Sequence, residues 1–99
     1  MAAYVIGEIT VTDPEGYEKY RANAGATVAA HGGRYLVRGG PTEAVEGEPP
    51  RGRVVVLEFP DLAAARAWYE SEDYGEVLPI RLATSESRVF LAEGWDGPT

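Results

Sequence analysis

Four short stretches of the chain alternate apolar and polar residues, which is the pattern of half-buried β-strands. They cover residues 3–11, 34–38, 53–59 and 88–94. Between the first and second stretches, and again between the third and fourth, apolar residues recur every three or four positions, which is the period of an amphipathic helix. The pattern therefore predicts the element order βαββαβ.

The first predicted helix has clear signals at both ends. Asp13 precedes Pro14, so the helix has a carboxylate at its N-cap and a proline at its first position. Gly32 and Gly33 should end it, because glycine adopts the left-handed conformation of a helix C-terminus without strain. A second glycine pair at 39–40 ends the strand that follows.

The second helical stretch is predicted to be interrupted. Asp61 caps its start, and the helix should break near Ser71 and resume over residues 73–83. Within the resumed part, Pro79 must lie in a first turn or force a kink, because proline lacks a backbone N–H.

Strand alternation sorts the side chains onto two faces of the predicted sheet. The drier face, which should receive the helices, is expected to carry Val5, Ile9, Val11, Tyr35, Val37, Val55, Leu57, Phe59 and Phe90. The second face is expected to carry Tyr4, Ile6, Leu36, Val54, Val56, Val89 and Leu91, interrupted by Glu8, Arg38, Glu58 and Glu93. This second face is too apolar to remain in water, so we expect a second copy of the chain to cover it in a homodimer.

The element order is the split βαβ pattern of ferredoxin-like folds. We predict an α+β structure, with a four-stranded antiparallel sheet and two helices on one of its faces. At 99 residues the chain should form one domain, with a core over residues 3–94 and a loose tail over 95–99.

Charge and composition exclude several functions. The 16 acidic and nine basic side chains give a formal charge of −7, which disfavours nucleic acid and anionic membranes as partners. The sequence has no cysteine and no apolar run long enough to span a membrane, so a cytoplasmic location is expected. With one histidine it offers too few ligands for a zinc site, and no cofactor is expected.

A few side chains are candidates for chemistry. Glu58 lies among valines near a strand end, a setting that raises a carboxyl pKa toward neutrality. His31 is the other candidate for proton transfer, although at a helix C-terminus it is also suited to interact with backbone carbonyls. Arg38, predicted to share the face of Glu58, is a candidate anion ligand. Four tyrosines on the helices are core aromatics unless the helices cover a pocket, in which case they and Arg81 would bind a small carboxylate or phenol; they are Tyr17, Tyr20, Tyr69 and Tyr74.

Several motifs resemble the small proteins of domain of unknown function thirteen-thirty (DUF1330). They are the run from Gly32 to Gly40, Glu46-Gly47, Glu58-Phe59-Pro60, the spacing Ala65-x-x-x-Tyr69-x-Ser71-x-x-Tyr74, and Arg81. The resemblance implies a ferredoxin-like fold in the dimeric α/β-barrel superfamily, whose members include cofactor-free monooxygenases, lactone isomerases, haem proteins and binding proteins. By motif match it also implies a set of site residues without known roles, namely Arg38, Glu46, Glu58, Tyr69, Ser71, Tyr74 and Arg81.

Two functions remain open at this stage. The first is a homodimer that binds a small organic molecule, including an anion, between helices and sheet, with acid–base, isomerase-like or monooxygenase-like activity. The second is a non-catalytic protein whose second sheet face serves only assembly. Haem binding through His31 is a third and weaker interpretation, because no apolar slot for a macrocycle is evident in the sequence.

Overall fold

The computed structural model describes residues 1–98. In chain order the elements are β1 (Ala3–Val11), α1 (Pro14–Ala30), β2 (Arg34–Arg38), β3 (Arg53–Phe59), α2 (Leu62–Tyr69), α3 (Glu72–Thr84) and β4 (Ser85–Glu93). The predicted order is confirmed, with the second helical stretch divided into α2 and α3. β4 begins three residues earlier than predicted. Thr99, the last residue of the tail predicted to be loose, lies outside the described residues.

The four strands form one sheet in the order β2-β3-β1-β4, and every neighbouring pair is antiparallel. This order, with the helices on one face, is the ferredoxin-like fold that the sequence predicts. The core lies between helices and sheet, and its most buried large side chains include Phe59 and Tyr74. None of the helices in residues 1–98 is long and apolar enough to cross a membrane.

The helix ends follow the predicted signals. Asp13 Oδ1 accepts a hydrogen bond from Gly16 N at 3.2 Å, and Asp61 Oδ1 accepts one from Ala64 N at 2.7 Å. At the end of α1, Gly32 has φ +80° and Gly33 N donates to the carbonyl of residue 28 at 3.0 Å. These bonds satisfy carbonyls that the last helical turn leaves free.

Pro79 lies inside α3, well past its first turn, and its side chain is exposed. The first-turn alternative is therefore wrong. Because proline has no N–H, the helix lacks the bond that residue 79 would otherwise donate to the carbonyl of Gly75.

The predicted faces of β4 are reversed in the structure. Val89 and Leu91 pair with Gly7 and Val5 of β1, whose side chains face the helices, and both pack against the core. Phe90 points the other way and is 51% exposed. Residues 89–92 are all apolar, so alternation alone leaves the direction of the strand open, and only pairing with β1 decides it.

The predicted faces of β2 also need correction beyond Tyr35. The pairing jumps from Tyr35 with Leu57 to Val37 with Val56, which leaves Leu36 as the extra residue of a β-bulge. Val37 consequently lies on the face away from the helices, and Arg38 lies on the helix side opposite Val55. A bulge shifts the alternation by one residue, which the sequence pattern did not reveal.

The face of the sheet turned away from the helices is called the outer face below. Its apolar members are Tyr4, Ile6, Val37, Val54, Val56, Phe90 and Ala92. Two ion pairs flank them, Arg88 with Glu8 and Arg34 with Glu58, each at 2.8 Å. Because parts of β2 and β4 face the other way, some residues on this face differ from those expected. The face is still mainly apolar and interrupted by charged residues, as predicted.

Candidate functional site

Two adjoining cavities lie between the helices and the sheet. Each has a volume of about 30 Å³, and both are walled by Ile9, Tyr20, Val55, Leu57 and Trp68. The inner cavity extends to Tyr74 and Arg81, and the mouth cavity extends to the exposed Arg38. An apolar cavity that holds benzene has roughly 150 Å³. A ring-sized ligand therefore enters only if side chains at the mouth move outward.

A chain of hydrogen bonds forms the polar end of the inner cavity. The hydroxyl oxygens of Tyr20 and Tyr74 are 2.8 Å apart, and Arg81 Nε donates to Tyr74 Oη at 3.4 Å. Arg81 Nη1 donates to Ser87 Oγ. Tyr74 is only 1% exposed and Arg81 only 3% exposed, so the chain is buried in the core.

The charge of Arg81 is not balanced by an acidic neighbour. Among residues 1–98 it forms no ion pair, since the four pairs present involve other arginines and His31. Burial, the largest single influence, lowers the pKa of Arg81, but the neighbouring tyrosines, Tyr74 first among them, together raise it by more, and the net shift is upward. Burial also raises the pKa of Tyr20 far above its ordinary value. At neutral pH the site is therefore a cation near the neutral phenol of Tyr20, an arrangement suited to stabilising a negative oxygen.

Besides Arg21, which is paired with Glu18, two arginines line the mouth cavity. The guanidinium of Arg38 lies 4.2 Å from the ring centre of Tyr35, and its Nη2 donates to the backbone carbonyl of Arg21 at 2.9 Å. Arg53 Nη1 donates to Tyr17 Oη at 3.0 Å. Like Arg81, neither arginine is in an ion pair within the part of the chain that the structure describes.

The structure brings together only some of the predicted site residues. Tyr74 and Arg81 meet at the inner cavity, and Arg38 reaches the same space from its mouth. Tyr69 adjoins Tyr74, with ring centres 5.7 Å apart, but is 38% exposed and lines neither cavity. Ser71 caps α3, where its Oγ accepts from Tyr74 N at 3.3 Å and donates to the carbonyl of Trp68.

The other predicted site residues lie elsewhere. Glu58 is on the outer face, where it forms its ion pair with Arg34. It was expected to share a face with Arg38, but Arg38 lies on the helix side of the sheet. His31 Nε2 lies 3.1 Å from Asp73 Oδ1 and joins the end of α1 to the start of α3. Glu46 is exposed in the connection between β2 and β3. None of the three lines either cavity, so a part for them in proton transfer stays a prediction.

Sequence reasoning missed four residues of this site, namely Tyr35, Arg53, Trp68 and Ser87. One signal was available for Arg53, which continues the alternation of Val55 and Leu57 and so predicts a charged side chain beneath the helices. Trp68 was assigned only to the core, yet its Nε1 donates to Thr27 Oγ1 at 3.0 Å and its ring is a cavity wall. No sequence signal marks Ser87, because the strand prediction began after it.

Metal binding has no support in the geometry of the described residues. Residues 1–98 contain no cluster of three or more histidine, cysteine, aspartate or glutamate side chains that could hold an ion.

The comparisons with known proteins agree with the fold. The family model of domain of unknown function DUF1330 matches residues 2–95. The chain belongs to this family. No curated protein matches it.

Two solved structures resemble this one. A Rhodopseudomonas palustris protein of unknown function superposes with a TM-score of 0.77 at 17% identity, over 97% of this chain and 84% of the other. SnoaB, a cofactor-independent oxygenase from Streptomyces nogalater, superposes with a TM-score of 0.61 at 17% identity, over 97% of this chain and 95% of the other. At such identity the likeness establishes the fold and leaves the function to be argued from the site.

Proposed function

We propose that this protein binds a small organic anion, a phenolate or a carboxylate, with the charged oxygen at Arg81. The observation that supports the proposal is that Arg81 is 3% exposed and bonds to the hydroxyl oxygens of Tyr74 and Ser87, with no ion pair within residues 1–98. A buried cation without a counter-charge is costly, and an anion beside it would recover much of that cost.

Arg81 has hydrogen-bond donors left for the anionic oxygen of such a ligand. A guanidinium carries five N–H donors, and the bonds to Tyr74 and Ser87 engage one N–H on Nε and one on Nη1. The bond between the Tyr20 and Tyr74 hydroxyls uses one of their two O–H donors, so one O–H remains to donate to an anionic oxygen. Apolar and aromatic walls, including Leu57 and Trp68, suit the body of a planar molecule.

The same lining limits the chemistry of the site. Neither a carboxylate nor an imidazole is among the residues that line the two cavities. The site therefore favours a ligand that ionises by itself and is held as an anion, rather than one from which a side chain removes a proton. SnoaB is a cofactor-independent oxygenase, so oxygen is the first co-substrate to test with the bound anion. If wild-type protein with the bound anion consumes oxygen no faster than Arg81→Met does, the proposed function is binding alone.

The binding proposal is tested with para-nitrophenol, whose visible absorbance reports its ionisation. If Arg81 holds the phenolate, saturating protein lowers the pKa of the probe, and the phenolate band grows at a fixed pH below that pKa. Arg81→Met should lose this effect. Tyr74→Phe should weaken it, since one hydrogen bond to the anionic oxygen is lost while the cation remains.

Arg34→Met is the matched control, because Arg34 is an arginine on the outer face that does not line the two cavities. It should leave the absorbance change intact. A wild-type protein that does not shift the ionisation of para-nitrophenol, or a shift that survives in a folded Arg81→Met protein, contradicts the proposal. Circular dichroism of each variant establishes that it is folded.

We also propose that the protein is a homodimer joined through the outer face. Three observations support this: the face is apolar at its centre, Phe90 is 51% exposed there, and the two ion pairs lie at its borders. An interface of roughly 800 Å² per partner is typical of stable complexes. The assembly and the ligand site lie on opposite sides of the sheet, so the two proposals are tested separately.

A further inference from the structure

The mouth and the inner end of the site carry separate cations on opposite sides of one strand. In the sheet register Arg53 of β3 pairs with Ile9 of β1, and Ile9 pairs with Ser87 of β4. Because neighbouring strands are about 4.8 Å apart, the backbones at Arg53 and Ser87 are separated by about 10 Å. Arg81 is hydrogen-bonded to Ser87, so its guanidinium lies toward the far side of Ile9 from Arg53.

Arg38 and Arg53 at the mouth form no ion pair within residues 1–98, whereas Arg21, which also lines the mouth, is paired with Glu18. Arg53 donates to the Tyr17 hydroxyl and to the backbone carbonyl of Arg38, and Arg38 donates to the carbonyl of Arg21. The sequence holds 16 acidic residues and nine basic ones, yet three arginines border these cavities without an ion pair within residues 1–98. The hydrogen bonds of Arg38 and Arg53 use only one or two of the five N–H donors of each guanidinium, so donors remain at the mouth for an anionic group that a ligand supplies.

Resting on the function proposed above, we infer that the natural ligand is a planar aromatic acid with two acidic groups at opposite ends. The phenol-type oxygen lies at Arg81, and a carboxylate lies at Arg53 and Arg38. The orientation follows from desolvation: Arg38 is exposed and Arg53 half-buried, so the more strongly hydrated carboxylate stays at the wetter mouth. The rings of Tyr20 and Trp68 wall the space between, which suits an aromatic body.

Entry of such a ligand requires the mouth to open, because each cavity has only about 30 Å³. The stacked pair of Tyr35 and Arg38 is the part best able to move, since Arg38 is exposed. A ligand carboxylate that pairs with Arg38 would compensate for the lost stacking on Tyr35.

The experiment compares para-hydroxybenzoate with para-hydroxybenzamide, its uncharged analogue, by calorimetric titration of the full chain. Wild-type protein should bind the carboxylate more tightly by on the order of tenfold or more, as expected for a partly desolvated ion pair. In Arg53→Met the ratio of the two affinities should fall toward one, and Arg53→Lys should retain part of it. Arg38→Met, at an exposed position, gives a second test if Arg53→Met does not fold.

Arg81→Met separates this inference from the proposed function. It should weaken both probes while preserving their ratio, because the carboxylate is held at the other end. Arg34→Met on the outer face should change neither affinity nor ratio. Equal affinities of wild-type protein for the two probes, or a ratio that depends on Arg81 and not on Arg53 and Arg38, would overturn the inference. The para-nitrophenol result at Arg81 would stand in either case.

Discussion

At the scale of single residues, the decisive feature is a hydrogen-bonded chain of polar side chains inside an apolar core. Tyr20, Tyr74, Arg81 and Ser87 each bond to the next, and removing one partner leaves a buried donor or acceptor without its hydrogen bond. These hydrogen bonds therefore contribute to the stability of the fold as well as to the proposed binding site. The two contributions can be measured separately, because the free energy of unfolding is determined without ligand.

Tyr74→Phe should destabilise the protein by about 1–3 kcal/mol, because it leaves the Tyr20 hydroxyl and Arg81 Nε without their shared partner. Urea denaturation of the free protein measures the loss. Tyr69→Phe is the matched control: Tyr69 is 38% exposed, so its change should stay within about 0.5 kcal/mol. Equal effects of the two substitutions would mean that the buried hydroxyl contact contributes little.

At the scale of elements, the helices are capped, and α1 is linked to α3 by His31 with Asp73 as well as by the hydroxyls of Tyr20 and Tyr74. His31, at the C-terminus of α1, lies 3.1 Å from Asp73 in the first turn of α3. The nearby hydroxyl of Ser71 lowers the pKa of Asp73, and so does His31, whose Nε2 lies within hydrogen-bond distance of the carboxylate. Asp73 also lies near the helix N-terminus, where a negative charge is favourable.

This lowered pKa predicts an acid-dependent contribution to stability. A carboxyl whose pKa is lower in the folded state contributes stability above its unfolded pKa of about 3.9 and loses it as the pH falls through the folded value. Asp73→Asn should therefore be less stable than wild type near pH 6, and the difference should shrink as the pH falls below about 4. Thermal unfolding at several pH values measures it. A difference independent of pH would show that the charge of Asp73 is not involved.

Pro79 is a second feature at this scale. It interrupts the hydrogen bonds of α3 while its side chain is exposed, so Pro79→Ala restores a backbone donor without removing packing. The substitution should stabilise the protein by about 1–3 kcal/mol, up to the intrinsic cost of a proline inside a helix. Denaturant unfolding measures the gain, and Glu76→Ala, exposed on the same helix, should be nearly neutral. A loss of stability in Pro79→Ala would mean that the helix geometry at this position depends on proline.

At the scale of the whole molecule, the sheet separates two surfaces with different proposed uses. The helix side encloses the cavities, and the outer face carries the apolar surface. Because side chains alternate along each strand, a substitution on one face leaves the other chemically unchanged. Assembly can therefore be disrupted without altering the lining of the cavities.

Val56→Asp should dissociate the proposed dimer, because Val56 lies on the outer face beside Ile6 and a carboxylate there would be desolvated in the interface. Sedimentation velocity at micromolar concentration should show a dimer for wild type and a monomer for the variant. Val45→Asp makes the same chemical change in a loop where Val45 is 88% exposed, and should remain dimeric. A monomeric wild-type protein would contradict the assembly proposal itself.

The sequence alone determined the elements and their order. Asp13, Asp61 and Gly32 mark helix ends by local chemistry that needs no distant partner, and the alternation in β1 and β3 places their faces correctly. Tyr74 and Arg81 were also identified from sequence, because a phenol and a guanidinium on a helical stripe either pack in a core or line a pocket.

Tertiary structure alone decided which side chains meet. The β2 bulge turned Arg38 toward the helices, and pairing with β1 fixed the faces of β4, where the sequence is apolar on both. Glu58 was separated from Arg38 and paired instead with Arg34, while Ser87 reached Arg81. Register and bulges depend on contacts between residues far apart in the chain, and a local pattern of hydrophobicity does not encode them.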